Sequence, residues 1–293
     1  MHQPYHQETN PDQTTTLPTA PTKQCHIPRL RSHTGPRKLL QKINTTNYEK
    51  LKTTILDLGR IYAVSDGGMA EGYGSFGWTI ACEHELMTGR GEAEGPRVLI
   101  QSFRAEGYGM LAALRFIYRM CEHEDTWPNT TTTVDLYCDN LALIKRIGWH
   151  GKRITTTPKD VSALDYDIEA EIAATIDTLA RKNITINEHW VKGHQDSHKE
   201  YHNLTREAQL NIESNREAMH ALKEHNRKED YHQMPHTTAM VYLQGLPITI
   251  KTENTLRCAY LSHDLRKYMT QRENWNEHIA DTIWWEAHKR ALN

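Results

Sequence analysis

Residues Ile61 to Gly68, IYAVSDGG, read as one strand that delivers one acid. Side chains alternate along an extended chain, so Ile61, Ala63 and Ser65 face one way and Tyr62, Val64 and Asp66 the other. Apolar residues on both faces imply a strand covered on both sides. An aspartate in such a strand must be neutralised, hydrogen-bonded or bound to a cation, because an unpaired buried charge is costly. The Gly67-Gly68 pair after it predicts a sharp turn and close approach of backbone or ligand.

Outward from this strand, Gly74 to Cys82 (GSFGWTIAC) and Arg97 to Phe103 (RVLIQSF) read as two more. Their connections, carrying Gly and charge, predict an antiparallel meander. The period then changes. Tyr108, Leu111, Ala112, Leu114, Arg115, Ile117 and Tyr118 follow helical spacing, with Glu106 expected in the first turn, where the helix dipole favours an acid. Val134 to Cys138 (VDLYC) is a fourth strand ending on Asp139, and Asn140 to Ile147 starts a helix. Ile168 to Leu179 is an amphipathic helix, Ile184 to Val191 a fifth strand, Lys192 to Asp196 (KGHQD) a polar loop, and Leu204 to Leu222 a helix. A meander followed by strand–helix–strand predicts a mixed α/β sheet with parallel neighbours at one side.

The 293 residues are polar, with mean hydropathy -0.73, but 38% are hydrophobic, enough for a core. The net charge of -2 excludes nothing, whereas its distribution is informative. Residues 1–60 carry nine Lys or Arg against four acids, a net of +5 that suits a polyanion. Residues 1–43, rich in Pro, Thr, Gln and His without a period, are expected to be a disordered basic arm. Residues 44–59 form a linker with a short amphipathic helix over Tyr48 to Leu58, 60–225 the main domain, and 226–293 a mostly helical extension. Within the extension, residues 241–250 suggest a hairpin, and residues 256–292 two helices carrying Trp275, Trp284 and Trp285. Five widely spaced cysteines without a CxxC pair predict free thiols in a reducing, intracellular compartment. No apolar run reaches the length of a membrane span, and the N-terminus lacks a secretory apolar segment.

Asp66 and Asp139, on strands expected to be parallel neighbours, would share the sheet end where open α/β sheets bind ligands. Glu106 would lean toward the same spot. Three converging carboxylates repel one another unless a cation is present. Hard oxygen ligands favour Mg²⁺ or Mn²⁺, and two such ions serve in-line attack on phosphodiesters.

The motifs SDGG, FRAEGYGMLAAL, LYCDN, WVKGHQD and LNIESNREA occur in that order between about residues 60 and 225. In order and setting the chain resembles the type 1 ribonuclease H domains, in particular those that end retroelement (retrotransposon) reverse transcriptase polyproteins. The resemblance implies a ribonuclease H-like five-stranded mixed sheet, three strands antiparallel and two parallel, flanked by helices. It implies a metal-dependent endonuclease that cuts the RNA strand of RNA–DNA hybrids, told from DNA by its 2′-hydroxyls. It further implies a chain detached from such a polyprotein, with a reverse transcriptase region as a partner and no membrane role. By the same resemblance Asp66 bridges two Mg²⁺ or Mn²⁺ ions, Glu106 and Asp139 bind them, and His194 moves protons. Gly67, Gly68 and Asn140 flank the metal site and would approach the nucleic-acid backbone, while Lys152 and Arg153 are the candidates for a basic protrusion. The chain departs from the family at Asn215, which stands where an aspartate is expected. The amide keeps a carbonyl ligand but loses a charge, so the alternative is a weakened or inactive nucleic-acid-binding relic.

Overall fold

A computed structural model describes residues 39–40, 42–44, 49, 52–53, 60–82, 85–95, 100–123, 127–150, 163, 165–224, 234–237, 241–243, 246–248 and 252–272. Most of the basic arm, Lys152, Arg153 and the C-terminal tryptophans lie outside the described residues. At the centre is a six-stranded mixed sheet. It comprises β1 (Lys42–Ile43), β2 (Ile61–Ala70), β3 (Tyr73–Ala81), β4 (Leu86–Ala93), β5 (Thr132–Cys138) and β6 (Ile184–Trp190), in the order β1-β4-β3-β2-β5-β6. Strands β2, β3 and β4 pair antiparallel, and β5 and β6 are added in parallel. The helices are α1 (Ser102–His123), α2 (Leu141–His150), α3 (Tyr166–Ala180), α4 (Arg206–Glu224) and α5 (Thr252–Arg272). This is the ribonuclease H-like α/β architecture expected from the sequence, with one strand more.

Strand β2 is covered on both faces, as its composition requires. Ile61, Ala63 and Val64 are fully buried. On one face Ser65 and Gly67 meet α1. A Cβ on Gly109 would sit 3.2 Å from Ser65 Cβ, and one on Gly67 only 2.6 Å from the Glu106 nitrogen. On the other face α4 crosses β2 and β3. The Ser214 hydroxyl lies 3.1 Å from the Val64 carbonyl, and Ser75 donates to the Ala218 carbonyl at 2.7 Å. Gly77, opposite Asp66 in the β2–β3 register, leaves room for this crossing, since a Cβ there would be 2.1 Å from the Ser214 carbonyl oxygen. Beyond the sheet face, α4 is tied to β4 through Glu217 to Arg90 at 2.6 Å and to the edge strand β1 through Glu224 to Lys42 at 2.7 Å.

The start of α1 is held by the fully buried Arg104. Its guanidinium donates to both Asp167 oxygens at 2.9 Å, to Asp165 at 3.1 Å and to the Glu94 carbonyl at 2.6 Å. One side chain thus joins α1, the end of β4 and the start of α3, and it fixes Glu106 two residues later. Burying that charge is tolerable because the carboxylates and a carbonyl surround it.

Four expectations are corrected. The chain does not turn at Gly67-Gly68, because β2 runs on to Ala70 and the turn is Glu71-Gly72. Both turn residues have positive φ (52° and 81°), the backbone of a two-residue hairpin loop that matches strand twist. The third meander strand is Leu86–Ala93; of residues 97–103, expected to form it, 97–99 lie outside the described residues and Phe103 already lies in α1. With α1 starting at Ser102, Glu106 falls in its second turn, so the helix dipole does little for it. The sheet has six strands because Lys42–Ile43, expected in the disordered arm, pairs with Gly89 and Arg90.

Of the helix expected over Tyr48 to Leu58, the described residues Glu49, Lys52 and Thr53 are helical, Thr53 donating to the Glu49 carbonyl. The described cysteines, Cys82, Cys121, Cys138 and Cys258, are free thiols. In the extension, β7 (Tyr242–Leu243) and β8 (Leu246–Pro247) form the expected small hairpin ahead of α5. Among the described residues no helix is long and apolar enough to cross a membrane.

Candidate active site

Parallel pairing of β2 with β5 sets Ser65 beside Cys138. Asp66 and Asp139 follow these partners by one residue each, on neighbouring strands about 4.8 Å apart. Asp66 is buried, and its Oδ1 accepts from the Gly67 amide at 2.7 Å. Glu106 reaches the same sheet end from α1. Its Oε2 accepts from the Cys138 thiol at 3.1 Å and its Oε1 from the Asn140 amide at 3.4 Å. Ligand atoms of Glu106, Cys138 and Asp139 all lie within 4.8 Å of one another. Among the described residues none of the three acids has an ion-pair partner.

The electrostatics follow from that. Burial first, and then the Asp139 charge, push the Asp66 carboxyl from 3.8 up to about 7, against a smaller downward pull from the Gly67 amide. Burial, Asp139 and Asp66 likewise push Glu106 upward. Buried oxygen ligands that resist ionisation for want of positive charge fit a hard divalent cation. Backbone contacts hold the cluster in place. The Trp190 indole donates to the Asp139 carbonyl at 3.0 Å and the Val191 amide to the Cys138 carbonyl at 3.1 Å.

The other expected residues are placed as follows. The KGHQD loop packs on the cluster through Gly193, where a Cβ would lie 2.2 Å from Asp139 Oδ2. His194, next in the chain, is exposed with φ 51°. Gly67 and Gly68 do permit close approach, but to α1 and to the Ser75 hydroxyl of β3 respectively. Asn140 caps α2, its Oδ1 accepting from the Leu143 amide at 3.1 Å while its Nδ2 reaches Glu106. Asn215 is half-buried on α4, one residue after the Ser214 that sits over β2, and makes no hydrogen bond among the described residues. Asn211, one turn earlier on the same flank, is buried, and its Nδ2 has no hydrogen-bond partner among the described residues. Glu213 and Glu217 do not replace Asn215, being engaged with Arg216 and Arg90. Sequence reasoning missed Cys138, Trp190 and Gly193 as parts of the site. The adjacency of Cys138 to Asp139 in LYCDN, and of Trp190 and Gly193 to His194 in WVKGHQD, was the available signal.

A separate cleft of about 290 Å³ between α1 and α3 shares no lining residue with this cluster. Its charged groups are paired with one another, Arg115 and His236 with Glu171, and Arg119 with Glu122.

No protein-family model and no curated protein matches the chain. Among solved structures, RNase H1 from the halophilic archaeon Halobacterium salinarum is 16% identical, covering 57% of this chain and 100% of that one, with a TM-score of 0.36. LC11-RNase H1, solved in complex with an RNA/DNA hybrid, is 13% identical over 56% of this chain and 97% of its own, with a TM-score of 0.35. A foamy viral protease-reverse transcriptase, solved in complex with dsDNA, is 11% identical over 56% of this chain and 96% of its own, with a TM-score of 0.31. These are distant likenesses, and the description of the fold rests on the strand order and register of this chain.

Proposed function

We propose that the protein is a divalent-cation-dependent endonuclease that cuts the RNA strand of RNA–DNA hybrids. The observation that carries this reading is the convergence of Asp66, Glu106 and Asp139 at one sheet end, buried or half-buried and, among the described residues, without a basic partner. Asp66, Glu106 and Asp139 hold the cations, two Mg²⁺ or Mn²⁺, with the Asn215 carbonyl as a further ligand. The bound ions supply an activated water and charge stabilisation at the scissile phosphate. His194, exposed on the loop beside Asp139, carries protons between the site and solvent. Asn140 keeps Glu106 oriented through Nδ2 while capping α2, and its half-buried side chain lies where a nucleic-acid backbone would pass.

A second reading has its own observation. Asn215 brings no charge, and its neighbours Glu213 and Glu217 are engaged with Arg216 and Arg90. A protein that binds hybrids without cutting them is the alternative. Incubation of the full chain with an end-labelled hybrid separates the two. The nuclease reading requires RNA-strand cleavage with Mg²⁺ or Mn²⁺ that stops on chelation and in Asp66→Asn. Hybrid binding without cleavage in either metal would leave only the binder.

A further inference from the structure

Helix α4 presents two flanks beside the face that packs on the sheet. On one flank Glu217 and Glu224 reach Arg90 of β4 and Lys42 of β1. At about 100° per residue, Asn211 and Asn215 fall on the other flank, the side of β2 on which β5 lies. The level of each along β2 follows from two contacts. Ser214 lies over the Val64 carbonyl, and the Ala218 carbonyl accepts from Ser75, the register partner of Gly68. Helix and strand therefore run the same way, which brings Asn215 level with Asp66 and leaves Asn211 one turn behind. Asn211 is at 3% exposure, and its Nδ2 has no hydrogen-bond partner among the described residues. A donor buried in this way is costly, and buried donors ordinarily have a partner.

An aspartate at position 215 would offer a cation two equivalent oxygens. The carboxamide of Asn215 offers one oxygen and one NH₂ group, and a cation repels the second. At this position the chain therefore has to set which end of the side chain faces the acids. The half-buried Asn215 side chain makes no hydrogen bond among the described residues that would set it. Residues four apart on a helix have Cβ atoms about 5–6 Å apart, within reach of two carboxamides. We infer that Asn211 is a positioning residue, whose Nδ2 donates to Asn215 Oδ1 and holds the carbonyl, rather than the NH₂ group, toward Asp66 and Asp139. The carbonyl oxygen has two lone pairs, one for the Asn211 donor and one for a cation. The two side chains are not bonded to each other in the structure, so rotation of Asn215 makes the contact. The inference rests on the reading of Asp66, Glu106, Asp139 and Asn215 as a cation site.

The test is a double-mutant cycle on the full chain, read as Mn²⁺ affinity by calorimetry. Asn211→Leu is made in the wild type and in Asn215→Asp. In the wild type it should weaken Mn²⁺ binding about tenfold, the effect of losing a group that orients a ligand. In Asn215→Asp, where either oxygen can face the ions, the loss should shrink to about threefold or less. Thermal melts in chelator should hold or rise in Asn211→Leu, because an unpartnered buried amide is removed. Equal weakening in both backgrounds would make Asn211 a structural residue and overturn the inference, as would unchanged affinity in Asn211→Leu. If Asn211→Leu does not fold, Asn211→Ser, which lacks the amide donor, enters the same cycle with the same two outcomes. A wild type that takes up no Mn²⁺ would remove the cation reading and this inference together. Wild-type uptake with equal losses would remove the inference alone.

Discussion

Gly193→Ala should damage the centre without damaging the fold. A Cβ on Gly193 would lie 2.2 Å from Asp139 Oδ2, 3.2 Å from its Cγ and 3.4 Å from its Cβ. Normal contact for such atoms is about 3.5 Å, so the carboxylate oxygen must retreat by about 1 Å. The backbone there is not free to follow, since the Asp139 carbonyl accepts from Trp190 and the Cys138 carbonyl from Val191. The side chain therefore rotates alone, at about 0.5–1.5 kcal/mol for an off-rotamer torsion. Displacing a ligand by about 1 Å costs on the order of 100-fold in rate, or about 2.7 kcal/mol of barrier. Cleavage of a labelled hybrid and Mn²⁺ binding by calorimetry should both fall, while thermal stability drops by about 1.5 kcal/mol or less. Wild-type Mn²⁺ affinity and cleavage in Gly193→Ala would refute the reasoning, because Asp139 would then not be a ligand held by that contact. An unfolded variant would refute it differently, by showing that the loop holds the fold.

The remaining predictions concern stability, pH and charge. Gly148→Ala, in α2 with nothing within 4 Å of the added Cβ, should raise stability by about 0.5–1 kcal/mol in a thermal melt and leave Mn²⁺ affinity unchanged. Arg104→Leu removes the guanidinium that the buried Asp165 and Asp167 accept from and should cost about 3–5 kcal/mol in chemical denaturation. Because the fold raises the Asp66 carboxyl from 3.8 to about 7, it favours the protonated form, and that stabilisation is complete below pH 3.8 and lost as pH rises through about 7. The span corresponds to at most about 4 kcal/mol from 3.8 to about 7. Melts with a chelator should therefore fall with pH across this window, with Glu106 extending the fall upward, and saturating Mn²⁺ should flatten the profile; a flat chelated profile would contradict the site electrostatics. Asn215→Asp should tighten Mn²⁺ binding on the order of tenfold, as a unit charge beside a dication implies, and unchanged affinity would mean that residue 215 does not face the ions.

The strand Ile61 to Gly68 was legible because apolar residues and a charge share one short stretch, a combination with few physical solutions. The two parallel strands and the helices between them were legible because their apolar period is strong. Leu86–Ala93 was not, because LMTGRGEA carries little apolar content of its own. The structure shows why: Gly89 and Gly91 make room for the rings of Trp78 and Phe76, so the neighbouring strand supplies the bulk. RVLIQSF looked extended, yet the Gln101 carbonyl accepts from the Arg104 and Ala105 amides and starts α1 inside that run. The two residues of β1 are too few to show any period. Asp66 and Asp139 could be brought together by strand order alone, whereas Glu106 reaches them only through the packing of α1 on the sheet. Cys138 could not be assigned a place, because a thiol's neighbours depend on how α1 packs, which is tertiary information.

The claim that Asp66, Glu106 and Asp139 share cations is tested most directly by diffraction from crystals soaked in Mn²⁺. The account predicts manganese anomalous density between Asp66, Glu106 and Asp139, lost in Asp66→Asn. Crystals with well-ordered carboxylates and no manganese at that sheet end would contradict it.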